Sequence, residues 1–204
     1  MAVKIPDILT FLHRANKLKS VKRFKSSLSR NGDTVADHSW RLALMVFVIG
    51  KELDVPVNIP HALEIALLHD LAELKTDDID ALDVINGDVS LEEKRKNEAV
   101  AMGQILEGIS FGDDMMKLWQ EYEDQQTNEA KFVKALDKIE AFLHLDEEGT
   151  RAYMPEQFHG DYADEAVRKF DEAIHHFPPL RTLLNPIKQD LQSKFEELGV
   201  EWVE

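Results

Sequence analysis

The chain has 204 residues, 44% of them hydrophobic and 31% charged, which suits a globular protein with one sizeable core and excludes a disordered one. Its net charge of −15 argues against a nucleic-acid polymer as the main partner, because phosphate contacts need clustered Lys and Arg. The absence of cysteine excludes disulfides, zinc ribbons and thiol catalysis.

No apolar run approaches the ~20 residues of a membrane span. Met1-Ala2-Val3-Lys4-Ile5-Pro6-Asp7 lacks the apolar stretch of a secretory leader, so a cytoplasmic protein is expected. Between Ile8 and Gly32 there is no acid, whereas Arg14, Lys17, Lys19, Lys22, Arg23, Lys25 and Arg30 supply seven positive charges. Most of these belong on a solvated helix face, with one or two placed to meet a small anion.

Helical signals follow in order. Thr34-Val35-Ala36-Asp37 fits an N-terminal capping pattern ahead of Leu42 to Ile49, which is apolar on all sides and predicts a buried helix. Pro56 stops what precedes it, and Asn58 with Pro60 opens a helix over His61 to Leu74 whose apolar face is Leu63, Ala66, Leu67 and Leu71. Leu91 to Leu106 and Asp114 to Glu123 are amphipathic and rich in helix formers. Glu129 to Leu145 places Phe132, Leu136, Ile139 and Leu143 on one core-facing stripe. From Asp146 to Asp164 a long loop is expected. Helices then follow at Glu165 to His176 and Leu180 to Leu198, with Pro186 at a boundary or kink. No alternating Val/Ile/Thr segment of useful length occurs, and the class is all-α. The expected organisation is one domain over 1–204, with a core at about 11–145 and a C-terminal helical extension at about 146–204.

Within this pattern His69 and Asp70 are neighbours in an apolar stretch. A buried carboxylate beside a buried imidazole is costly unless something pairs with both, and a metal ion beside the helix satisfies the two together. In isolation the pair would be read as a salt bridge, and His38 as a surface or capping residue. Asp137 is a further acid, beside the apolar stripe of Glu129 to Leu145 among Ala130, Val133 and Ala141. Two imidazoles and two carboxylates suit one Mn²⁺, Fe²⁺, Co²⁺ or Zn²⁺ better than Mg²⁺.

His38, His69-Asp70 and Asp137, in that order, resemble the H…HD…D signature of the HD-domain phosphohydrolases. The flanking words Val35-Ala36-Asp37-His38-Ser39-Trp40-Arg41, Ala66-Leu67-Leu68-His69-Asp70-Leu71-Ala72-Glu73 and Lys131-Phe132-Val133-Lys134-Ala135-Leu136-Asp137-Lys138 are similar to its 5′-deoxynucleotidase group, as is Leu118-Trp119-Gln120-Glu121-Tyr122-Glu123. The resemblance runs from about Phe11 to His144. It implies a helical bundle around one divalent metal, usually in a homodimer, releasing phosphate from nucleoside 5′-monophosphates, with 2′-deoxyribonucleotides preferred. It puts the catalytic glutamate at Glu73, a later catalytic aspartate at Asp78, and the substrate-contacting pair at Arg23 and Phe24. Two departures are visible: Phe24 replaces a tryptophan, and Asp77 replaces a glycine. The alternatives are an enzyme of the same scaffold acting on nucleoside triphosphates, guanosine polyphosphates or cyclic nucleotides, and a metal-bearing regulatory module without turnover.

Overall fold

The computed structural model describes residues 4–25, 33–79, 83–84, 87–148, 168, 171–172, 174–199 and 202. Eight α-helices are described: α1 (Ile5–Ala15), α2 (Val35–Glu52), α3 (Ile59–Leu68), α4 (Glu73–Thr76), α5 (Leu91–Leu106), α6 (Gly112–Asp124), α7 (Asn128–Glu148) and α8 (Arg181–Glu197). Short 3₁₀ turns at Asn16–Ser20 and Pro178–Leu180 lead out of α1 and into α8. Among the described residues the only extended pairing is a single antiparallel bridge between Lys22 and Thr34. None of the described helices is long and apolar enough to cross a membrane.

The predicted helix starts have clear local causes. Thr34 Oγ1 accepts from the Asp37 amide and the Asp37 carboxylate accepts from the Thr34 amide, a reciprocal capping box that opens α2. The Asn58 side chain accepts from the His61 amide to open α3, with Pro60 in the first turn.

α2, α3 and α7 pack against one another around Leu42, Val46, Ile65, Ala66, Phe132, Leu136 and Ile139, all fully buried. Leu180, Leu184, Ile187 and Leu191 join this same core, so α8 packs on α7. A second cluster of Phe11, Leu68, Leu71, Met102, Ile105 and Trp119 ties α1, α5 and α6 to the end of α3. The helix expected over His61 to Leu74 therefore belongs to both clusters, and it does not run through.

It is one of several places where the elements differ from expectation. α3 ends at Leu68, and the next amides bond three residues back: Leu71 to the Leu68 carbonyl, Glu73 to Asp70 and Leu74 to Leu71. This tighter winding re-aims the side chains between the two clusters before α4 begins. The apolar stretch Leu42 to Ile49 is helical but not wholly buried, since Leu44, Phe47 and Val48 are exposed together with Trp40. α7 continues to Glu148, three residues into the expected loop, whose remainder lies outside the described residues, as does half of Glu165 to His176. Pro186 lies inside α8, at its sixth residue, leaving the Thr182 carbonyl without its amide partner one turn along.

Candidate metal centre

Four side chains from three elements meet where the two clusters join. His38 sits in the first turn of α2, His69 and Asp70 in the tight winding after α3, and Asp137 midway along α7. The two imidazole Nε2 atoms are 3.1 Å apart. Asp137 Oδ1 lies 3.2 Å from His38 Nε2, and Asp70 Oδ2 lies 2.9 Å from His69 Nε2 and 3.6 Å from His38 Nε2. His38, His69 and Asp137 each offer one ligand atom within 4.8 Å of the others.

What lies behind these atoms decides what they can do. His69 Nδ1 donates to the Ala66 carbonyl at 2.9 Å, and His38 Nδ1 donates to Glu140 Oε2. With both Nδ1 protons committed, each neutral ring turns a lone pair at Nε2 towards the shared centre. Asp137 Oδ2 accepts from Tyr122 at 2.7 Å and from Lys134 at 3.1 Å, which leaves Oδ1 for the centre. Several electron pairs thus converge at one point, and they repel unless a cation lies between them. Metal–nitrogen bonds of about 2.0–2.1 Å at 90–110° span roughly 2.8–3.4 Å between neighbouring ligand atoms, and the 2.9, 3.1 and 3.2 Å separations suit one divalent ion.

A proton can stand in for the metal. Burial and Arg23 work against charge on His38, but Asp137 and Glu140 outweigh them and raise its pKa to about 9. Burial likewise opposes ionisation of Asp70 and Asp137, yet His69 holds Asp70 low, and Lys134 with His38 holds Asp137 low, so both stay anionic.

Glu140 was not singled out in the sequence and proves to be the hub behind the ligands. It is fully buried, accepts from His38 Nδ1, from Arg23 at 3.2 Å and from Arg41 Nε at 2.7 Å, and these partners hold its pKa near 2 against the effect of burial. The signal was present: Glu140 follows Asp137 by three residues, on the same helix face, in the midst of the apolar stripe. Tyr122, Lys134 and Lys94 were likewise not singled out as site residues.

Residues 15–176 match the model of the HD domain family. The chain belongs to that family. Over 81% of the chain it is 34% identical to the human 5′-deoxynucleotidase HDDC2, of which 79% is covered. It is also 31% identical to the 5′-deoxynucleotidase hdd1 of Schizosaccharomyces pombe over 71% of this chain and 73% of that one. The fold matches that of a predicted metal-dependent phosphohydrolase from Magnetospirillum magnetotacticum, with a TM-score of 0.73 at 22% identity, covering 99% of this chain and all of the other.

The other residues expected in the HD site fall into two places. Glu73, the first residue of α4, is 3% exposed, and among the described residues its Oε2 has no hydrogen-bond partner. Burial, with Asp70 and Asp78 adding to it, drives its pKa well above the usual carboxylate range. Asp78 is half-buried, and its charge acts on Glu73, Lys94 and Arg23. Arg23 is buried behind His38, pairing with Glu140 at 3.2 Å and with Asp33 at 3.4 Å. Its guanidinium lies 4.7 Å from the centre of the Phe24 ring, which in turn stacks on His144 at 5.1 Å. A cleft of about 390 Å³ opens over His69 and Asp70, walled by Ile79, Leu91, Lys94 and Tyr122 with Lys134 beside it. Arg23 and Phe24 are not among its lining residues.

Two further histidines have partners within the fold. His61 bonds Glu121 at 2.9 Å, and His144 is buried against Phe24. Phe24 and Asp77, the two departures, both adopt positive φ, at 56° and 59°.

Proposed function

We propose that this HD-domain chain is a metal-dependent phosphohydrolase that releases phosphate from nucleoside 5′-monophosphates, with 2′-deoxyribonucleotides preferred. The observation that carries the reading is the 3.1 Å approach of two Nε2 atoms whose Nδ1 protons are both committed elsewhere. Similarity to curated 5′-deoxynucleotidases supports the substrate class. His38, His69, Asp70 and Asp137 would hold the ion, with Mn²⁺, Co²⁺, Fe²⁺ or Zn²⁺ favoured over Mg²⁺ by the imidazole pair. When bound, such an ion lowers the pKa of water into the neutral range and withdraws charge from the phosphoryl group.

The chain's own residues account for the remainder. Water attacks phosphorus, the bond to the 5′ oxygen breaks, and that oxygen needs a proton as it leaves. Burial, with Asp70 and Asp78 adding to it, pushes the Glu73 pKa well up and favours its protonated form, and it is the proton donor in this scheme. Asp78 orients water or a sugar hydroxyl. Lys94 and Lys134 supply positive charge within the cleft, and Arg23 adds its own from behind His38 while Phe24 backs it. A homodimer is proposed too, with Trp40, Leu44, Phe47 and Val48 of α2 supplying exposed apolar surface for a second copy.

Phosphate release from a panel of nucleotides, with Mn²⁺, Co²⁺ or Mg²⁺ added, tests the reading. Deoxynucleoside 5′-monophosphates should turn over faster than their 3′ isomers and the matching triphosphates. Faster turnover of triphosphates, guanosine polyphosphates or cyclic nucleotides would move the activity elsewhere within the family, and no turnover of any of them would favour a regulatory module.

A further inference from the structure

A second concavity, of about 360 Å³, lies away from the metal centre and is lined by Arg14, Lys17, Leu74, Lys75, Gln104 and Ile105. Three of the six are cations, and none is an acid. In a molecule with 39 acidic and 24 basic residues that is an unusual lining. The cations of the metal cleft behave differently: Lys94 pairs with Glu98, Arg95 with Glu123, Lys134 with Asp137 and Lys138 with Glu172, at 3.1–3.6 Å. Among the described residues Arg14, Lys17 and Lys75 pair with no carboxylate.

Arg14 is held rigidly. Its NH1 donates to the carbonyls of Ile105 at 2.6 Å and Glu107 at 2.9 Å, at the C-terminal end of α5, so the guanidinium is fixed in the pocket wall without its charge being neutralised. Lys17 comes from the 3₁₀ turn after α1, and Lys75 from α4. Three separate elements therefore bring like charges to one hollow, which an anion would relieve. Leu74 and Ile105 add an apolar surface, and the Gln104 amide can both donate and accept. The volume falls within the roughly 300–1,000 Å³ of small-molecule sites.

We propose that this pocket binds a nucleotide carrying more than one phosphate, such as a nucleoside diphosphate. The phosphates meet Arg14, Lys17 and Lys75, and the base lies against Leu74 and Ile105 with its edge on Gln104. The site adjoins the chemistry without sharing it, because Leu74 and Lys75 follow directly on Glu73 in α4. A ligand there grips the helix that carries the proposed proton donor.

The test is calorimetric titration of ADP into the metal-loaded protein, compared with Lys17→Ala/Lys75→Ala and with Gln104→Trp, which fills the pocket without removing charge. The altered side chains are exposed, so both proteins should fold. ADP affinity should fall at least tenfold in each, while KM for a deoxynucleoside 5′-monophosphate, measured without ADP, stays within twofold. Equal ADP affinity in all three proteins overturns the proposal, as does complete displacement of ADP from wild type by a saturating monophosphate. The ADP affinities are read by heat rather than turnover, so that comparison is independent of whether the monophosphate reading holds.

Discussion

Glu140→Gln probes the least obvious part of the metal centre. The substitution keeps the shape of the side chain and removes its charge. In the native protein the fully buried carboxylate holds three donors: the His38 imidazole, Arg23 and Arg41 Nε. Arg23 is 7% exposed, so after the change the one ion pair left to it among the described residues is with Asp33, at 3.4 Å. Breaking one side of a buried ion pair costs about 3–5 kcal/mol, and a glutamine that still accepts one hydrogen bond should bring the loss to the lower end. For a chain of this size each kcal/mol is worth about 2–4 °C, so the melting temperature should fall by roughly 6–12 °C. The second effect falls on the metal. A carboxylate behind a ligating histidine sets its tautomer and raises its basicity, and losing it weakens metal affinity about 10–100-fold. Thermal melts with and without chelator, together with Mn²⁺ titration of the chelated protein, read both effects. The stabilisation conferred by Mn²⁺ should shrink in the variant at a fixed metal concentration. Wild-type metal affinity in a correctly folded Glu140→Gln protein would refute the view that Glu140 orients His38.

Two further substitutions separate chemistry from scaffold. Glu73→Gln is nearly isosteric with the protonated acid that burial favours, so stability and metal content should stay near wild type while single-turnover rate falls about 10²–10⁴-fold; normal turnover would remove Glu73 from the mechanism, and metal loss would make it a ligand. Asp77→Gly should raise stability by about 1 kcal/mol in urea denaturation, because φ 59° and ψ 164° is a glycine conformation costing other residues about 1–3 kcal/mol, partly offset by the greater freedom of glycine in the unfolded chain. The pair that Asp77 forms with Lys25, at 3.6 Å between exposed side chains, adds little to its side of the balance, and a less stable glycine variant would show that the side chain has a contact of greater worth.

Helix positions were legible because they rest on local chemistry. Thr34 and Asp37 cap α2 through atoms three residues apart, and Asn58 with Pro60 opens α3 in the same way. The end of α3 was not legible, because nothing between Ala66 and Leu74 breaks a helix by propensity. The residues there bury Leu68 and Leu71 in a different cluster from Ala66, and the chain winds more tightly to reach both. The exposed half of α2 was missed for the opposite reason. An apolar residue declares a preference for burial but not the element that provides it, so Trp40, Leu44 and Phe47 look the same in sequence whether they meet a core or solvent.

The site divides along the same line. His69, Asp70 and Asp137 stand out as an imidazole and acids among apolar neighbours, whereas His38 by itself reads as a surface or capping residue and joins them through the resemblance to the H…HD…D signature. Spacing could permit their meeting but not show it. Arg23 illustrates what remained out of reach. In sequence it is one of seven cations in an acid-free stretch, available to any anion. In the fold it is a cation spent inside the protein, on Glu140 and Asp33, whereas among the described residues Arg14 and Lys17 from the same stretch pair with no carboxylate. Identical side chains in one segment thus acquire different uses according to which acids the tertiary structure brings to them. Glu140 is the acid that draws Arg23 inward. By holding His38 and Arg23 together it couples the metal ligands to the one strongly basic segment of an acidic molecule, a connection between residues 117 positions apart that no local pattern records.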